Sequence, residues 1–171
     1  GAGTPAMWRI APVPGDAKRK NALRVDTKNK KATYNLLVSE LAYPAEVDMK
    51  VSVKVASGKI DQGGGLVWRV QDNDNYYIAR WNPIEKNVRL FKVVAGERTE
   101  LGNVDLKADV KEWHELRVEH RGNQAKVSFD GKEVIVANDA AHEEGGRIGF
   151  WTKADASTWF DDLEIILPSA R

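Results

Sequence analysis

The chain has no cysteine, which removes disulfides, thiol nucleophiles and thiolate metal sites together. Histidine is almost as scarce: His114, His120 and His142 are the three, and none has a partner at metal-ligand spacing, so a zinc centre is not expected. An excess of charge is missing too. Against 26 lysines and arginines stand 25 aspartates and glutamates, a net charge of +1, which leaves no global field to steer a nucleic acid. No apolar run approaches the ~20 residues of a membrane-spanning helix, so membrane insertion is not expected. No segment holds a 3.6-residue apolar period for three turns; Ala108 to Trp113 and Asn138 to Glu144 are read as single helical turns at most. The opening GAGTPAM lacks the charged start and apolar stretch of a signal peptide, and Gly1 is compatible with a processing scar.

What is present is alternation. The 171 residues predict one domain spanning 1–171, large enough to bury roughly 70% of the surface its unfolded chain exposes. From Glu46 to Val55 apolar and polar residues alternate without a break, with Val47, Met49, Val51, Val53 and Val55 on one side, the pattern of a half-buried antiparallel strand. Further strands are expected at Leu23 to Val25, Tyr34 to Val38, Gly65 to Val70, Tyr76 to Trp81, Val88 to Val94, Arg98 to Leu101, His114 to His120, Ala125 to Phe129, Glu133 to Val136, Arg147 to Thr152 and Thr158 to Leu167. Turn residues at Asp72-Asn73-Asp74-Asn75, Ala95-Gly96, Gly122-Asn123 and Asp130-Gly131 fall between them, which predicts hairpins and an all-β, two-sheet antiparallel sandwich.

Two segments carry more chemistry than a core requires. GGGLVWRVQDNDNYYIARWNP (Gly63 to Pro83) and GRIGFWTKADASTWFDDLEI (Gly146 to Ile165) place Trp, Tyr, Arg, Lys and Asp on strand-like sequence. If Leu66, Trp68, Val70 and Ile78 point inward, Gly65, Val67, Arg69, Tyr77, Ala79 and Trp81 point outward, with Arg69 and Tyr77 as neighbours. Inward Ile148 and Phe150 leave Gly149, Trp151 and Lys153 outward, with Asp155 and Trp159 just beyond. Two places strain this register. Arg80 shares the face of Ile78, and Phe160, Leu163 and Ile165 need a break at Asp161 or Asp162 to face inward together. Sugar C–H faces pack on indole and phenol rings while hydroxyls need charged or amide partners in fixed geometry. Candidate saccharide contacts are therefore Arg69, Tyr77, Arg80, Trp81, Trp151, Lys153, Asp155 and Trp159, a set that requires Arg69 and Trp151 to share a face. Each tryptophan, taken singly, is explained equally well as core.

These segments, with WHELRV and FDGKEV, resemble the concanavalin A-like (laminin-G, glucanase) jelly rolls, in particular the bacterial 3-keto-disaccharide hydrolase-like glycosyl hydrolase family, over roughly Leu36 to Leu167. The resemblance implies a two-sheet jelly roll whose concave sheet binds sugar, and a periplasmic or secreted location. It implies catalysis less firmly. Retaining glucanases of that superfamily set acids at alternate positions of one strand; the nearest run here, Glu46-Val47-Asp48-Met49-Lys50, has a lysine at the third. Glu115 and Glu119 share a face but lie roughly 13 Å apart along a strand. The family also invites a hydrolase or lyase in which Lys153, Tyr77, Asp155 or His114 serves as acid or base. No cofactor is expected; Asp161-Asp162 is the candidate for a structural calcium, whereas Asp72 to Asn75 lacks the glycine and distal glutamate of an EF-hand and reads as a turn. The basic run Lys18, Arg19, Lys20, Arg24, Lys28, Lys30 and Lys31 has no aromatic residue to stack a base and reads as a solvated edge. The preferred function is non-catalytic binding of an oligo- or polysaccharide, ahead of glycosidic-bond cleavage and of a laminin-G-type module for a protein partner.

Overall fold

The computed structural model describes residues 3–166 as thirteen strands, with no helix among them. They are β1 (Met7–Pro12), β2 (Asn21–Asp26), β3 (Tyr34–Val38), β4 (Val47–Ser57), β5 (Gly64–Asp72), β6 (Asn75–Asn82), β7 (Asn87–Val94), β8 (Glu97–Asp105), β9 (His114–Arg121), β10 (Gln124–Phe129), β11 (Lys132–Asn138), β12 (Arg147–Lys153) and β13 (Ser157–Ile166). A seven-stranded sheet runs β1-β2-β13-β4-β9-β10-β11 and a six-stranded one β3-β12-β5-β6-β7-β8. The named pairings are antiparallel.

The alternation of β4 acts as expected: Val47, Met49, Val51 and Val53 are buried in the space between the sheets, while Lys50 and Ser52 lie on the outer side. The expected hairpins form. Ala95-Gly96 and Asp130-Gly131 have both residues at positive φ (50° and 81°, 49° and 77°), the turn whose twist matches that of the flanking strands. At Asp72 to Asn75 the Asp72 carboxylate accepts from Asp74 N–H at 2.8 Å and from the Asn75 amide. Two expectations change. β1 is an additional strand that sequence reading passed over, and Asn138 to Glu144 forms a strand end and bends instead of a helical turn, whereas Ala108 to Trp113 does hold a single turn, closed by Glu112 N–H donating to Asp109 O at 3.2 Å. Leu167, the expected end of the last strand, lies outside the described residues.

Both faces of the six-stranded sheet are buried. Leu66, Trp68, Tyr77, Ala79, Trp81, Val88 and Leu90 face the seven-stranded sheet, whereas Val67, Val70, Tyr76, Ile78, Phe91, Val93 and Trp151 form a second apolar cluster on the opposite face.

 The expected inward side was therefore wrong for β6: Ile78 and Arg80 share the outer face, and Tyr77 and Trp81 lie between the sheets. Val70 also leaves the side of Trp68, because Arg69 takes a positive φ of 49° and the pairing register shifts between Trp68 and Asp72. A bulge of this kind reverses the parity beyond it. The expected break in β13 is present, with a register shift between Asp161 and Glu164 and Asp162 at φ 51°.

The six-stranded sheet is strongly curved. A Cβ at Gly65 would overlap the Ala79 carbonyl oxygen, and one at Gly149 the Leu37 carbonyl oxygen, so these two glycines permit an approach of neighbouring strands that no other residue allows. Curvature brings the edges together. The guanidinium of Arg98, on edge strand β8, lies 4.3 Å from the Phe91 ring centroid and 5.3 Å from that of Tyr34, on the opposite edge strand β3. The outer face is thus a trough.

Candidate functional site

The trough is built from cross-strand rows. One row runs Leu36, Trp151, Gly65, Arg80, Arg89, Asn103 across all six strands, and the next runs Val38, Gly149, Val67, Ile78, Phe91, Glu100. Lys153 pairs with Tyr34 at one side, and Arg98 with Val93 at the other. Rings line one part: Tyr34 and Trp151 are 5.3 Å apart at an interplanar angle of 52°. Trp151 is only 2% exposed and its indole N–H has no acceptor. It supports Tyr34 from below and offers no open face of its own.

Charged groups line the other part. Arg80 donates to Asn87 Oδ1 at 2.6 Å and to Glu85 Oε2 at 2.7 Å, and Glu85 is also 3.5 Å from Arg89. Lys153 Nζ lies 3.9 Å from Asp61 Oδ2, beyond hydrogen-bond reach, with the two side chains 17% and 10% exposed. Asp61 Oδ1 accepts from Asn82 Nδ2 at 2.6 Å and Gln62 N–H at 2.9 Å. Burial raises the Asp61 carboxyl above its usual range, opposed by Lys153. Burial, then Arg98, lowers the Lys153 ammonium. Burial alone would raise Glu85, but the Arg80 guanidinium outweighs it and holds the carboxyl low.

The other expected contacts are elsewhere. Arg69 is 1% exposed and donates from Nε to Ala45 O, from Nη1 to His142 O and from Nη2 to Gly122 O, at 2.9, 2.6 and 2.9 Å. These carbonyls belong to loops at the end of the sandwich, so Arg69 and Trp151 do not share a face and the site that required both is withdrawn. Tyr77 donates to Asp139 Oδ1 at 2.7 Å, and burial followed by that carboxylate pushes its phenol up to about 12. Trp81 packs on His114 and Phe129. Trp159 is buried on the outer face of the other sheet, against Ala11, Val13 and Ala22 with Arg24 4.8 Å from its ring centroid. Asp155 accepts the backbone N–H groups of Lys59, Ile60 and Asp61 at 2.8, 2.9 and 3.0 Å. It fixes the loop that carries Asp61.

The candidate catalytic acids are engaged away from the trough. Arg117 binds Asp48 through two bonds of 2.8 and 2.7 Å, Lys50 lies 3.5 Å from Glu115 and 3.2 Å from Glu164, and Glu119 lies 3.2 Å from Arg117. Glu46 is 3.5 Å from Arg121. Each His114 ring nitrogen faces an oxygen, of Asp130 or Asp109, at 2.8 Å. His120 accepts from Trp68 Nε1 at 2.9 Å, and burial followed by Arg69 lowers it to about 4. The Asp161-Asp162 pair expected to suit an ion is met by Arg19, which donates to Asp162 and lies 3.5 Å from Asp161. Among the described residues no three His, Asp or Glu side chains gather as a metal site.

Sequence reading missed Tyr34, Asp61, Glu85, Phe91 and Arg98. Only Arg98 carried a signal, its alternation with Glu100 on β8; Asp61 and Glu85 stand in loops, where parity says nothing. A cleft of about 450 Å³ adjoins the trough and shares Tyr34, Leu36 and Tyr76 with it. A second recess of about 880 Å³ lies among Met7, Lys28, Lys59, Ile60 and Asp155. Neither is lined by Arg80 or Lys153.

No protein-family model matches the sequence, and no curated protein sequence matches it. Solved structures do match. The chain is similar to the carbohydrate binding module CBM66 from Bacillus subtilis, at a TM-score of 0.76 and 19% identity over 93% of this chain and 91% of that one. It is similar to a Bacillus subtilis protein with a galectin-like fold, at a TM-score of 0.67 and 8% identity over 94% and 86%. The third is the GH43 BlXynB protein from Bacillus licheniformis, at a TM-score of 0.62 and 17% identity, where the match covers 94% of this chain but 37% of that one. At these identities the likeness is one of fold: the chain is an all-β jelly-roll sandwich of two antiparallel sheets.

Proposed function

We propose that this protein is a carbohydrate-binding β-sandwich that takes a saccharide into the trough of its six-stranded sheet. One observation carries the reading: aromatic rings and fixed polar groups converge on a single curved face, with Tyr34, Phe91 and Trp151 beside Arg80, Arg98, Lys153, Asp61 and Glu85. Rings take sugar C–H faces, and charged groups take hydroxyls. Similarity in fold to a module named for carbohydrate binding supports it. Arg98 and Lys153 are direct partners, Trp151 backs Tyr34, Arg80 positions Glu85 from below, and Asp155 acts through Asp61. Arg69, Tyr77, Trp81 and Trp159 have no direct part. Such a domain would meet its glycan in the periplasm or after secretion.

Glycosidic-bond cleavage is the second reading, favoured by one observation: burial raises Asp61 while Arg80 holds Glu85 low, the division that an acid and a base require. Titrating tryptophan fluorescence with neutral and acidic oligosaccharides, with product release followed in the same tubes, separates the two. A saturable change without product, lost in Tyr34→Ala and Lys153→Gln, is the expected result. Turnover abolished by Asp61→Asn would establish the enzyme, and silence across the panel would turn the search to a protein partner.

A further inference from the structure

The charge in the trough does not balance, and the imbalance is local. Arg80 and Arg89 are matched by Glu85 and Glu100 at 2.7 and 3.4 Å. Among the described residues the one carboxylate within 4 Å of Lys153 is that of Asp61, at 3.9 Å, although the lysine side chain is only 17% exposed. Arg98 has no carboxylate or carbonyl partner among the described residues; its guanidinium is stacked on Phe91 and Tyr34. Stacking occupies the flat faces of a guanidinium and leaves its N–H edge free to donate. Two cations therefore stand on the same face, close enough for Arg98 to disfavour the charge on Lys153, with neither held by a hydrogen bond to an anion. The indole N–H of Trp151, buried on that face, is a further donor without an acceptor.

Resting on the saccharide reading above, we infer that the trough is selective for an acidic saccharide, the carboxylate of a uronic acid residue binding between the Arg98 fork and the Lys153 ammonium. A carboxylate there accepts two parallel N–H bonds from Arg98 and one from Lys153, and relieves the repulsion between the cations. The neutral sugar atoms of the same residue lie toward Tyr34.

The test uses the whole chain, titrated with oligogalacturonate, oligomannuronate and oligoglucuronate, with the methyl esters of each, and with a neutral oligosaccharide panel. Saturable binding of an acidic oligosaccharide is expected, weakened roughly tenfold or more on esterification and by Lys153→Gln or Arg98→Gln. Lys153→Arg should restore most of it, and added salt should weaken it. Lys28→Gln, an exposed lysine elsewhere, should leave it unchanged. Equal binding of ester and acid, equal loss in Lys28→Gln, or binding confined to neutral sugars would overturn the acidic assignment and leave the saccharide reading standing. Binding of nothing in either panel would overturn both.

Discussion

Tyr34 and Arg98 belong to the two opposite edge strands of the six-stranded sheet, yet the Arg98 guanidinium lies 5.3 Å from the Tyr34 ring centroid. Neighbouring strands are about 4.8 Å apart, so edges separated by four strands meet only if the sheet curls. The curl comes from Gly65 and Gly149, where a Cβ would overlap a carbonyl oxygen of the next strand. Gly149→Ala should therefore force the strands apart, at a cost of about 1–3 kcal/mol, and reduce saccharide affinity by opening the trough. Chemical denaturation and the fluorescence titration measure the two effects. Full stability together with full affinity would show that the glycine is dispensable.

Arg69 is expected to be structural. It satisfies three carbonyls from three loops while nearly fully buried, and each acceptor left unsatisfied costs about 1–3 kcal/mol. Arg69→Met should lower the urea midpoint by an amount equivalent to about 3 kcal/mol or more. Where the variant still folds, its saccharide affinity at low temperature should match the parent's. A selective loss of affinity would return Arg69 to the site.

His120 sets a pH dependence of stability. Its folded pKa is lowered to about 4 from the ordinary 6.5 because the ring is buried beside Arg69. Between those values the unfolded chain binds the proton and the folded one does not, so stability rises with pH there. The contribution is complete above pH 6.5 and lost as pH falls toward 4, amounting to about 3 kcal/mol at most. Urea titrations at pH 7 and pH 5 should show this slope, and His120→Gln, which keeps an acceptor for Trp68, should flatten it. An unchanged slope in the variant would assign the effect to other groups.

Most of the fold was legible because β4, β9 and β10 bury one face each, so their apolar residues alternate. β5 and β6 bury both faces, from Gly64 to Val70 and from Tyr76 to Asn82. Continuous apolar runs carry no parity, which is why Tyr77 and Trp81 were placed on the outer face and Ile78 on the inner one. β12 alternates around Gly149, and the outward placement of Trp151 and Lys153 followed correctly. The Arg98–Tyr34 meeting depends on curvature between strands 64 residues apart in sequence positions 34 and 98, a relationship that no local pattern encodes.

The two faces of the sandwich make opposite predictions for their aromatic residues. Trp159 is 4% exposed beneath Arg24 on the outer face of the seven-stranded sheet. Trp159→Ala should cost about 3–5 kcal/mol, the range for removing a buried tryptophan, and leave saccharide affinity unchanged. Tyr34 is half-buried on the trough, so Tyr34→Ala should cost less stability and most of the affinity. Measuring denaturation midpoints and saccharide titrations on both variants decides the matter, because a fold defect alone lowers stability and affinity together. If Trp159→Ala were the variant that lost binding while remaining folded, the saccharide would lie on the seven-stranded sheet and the trough would be a second core.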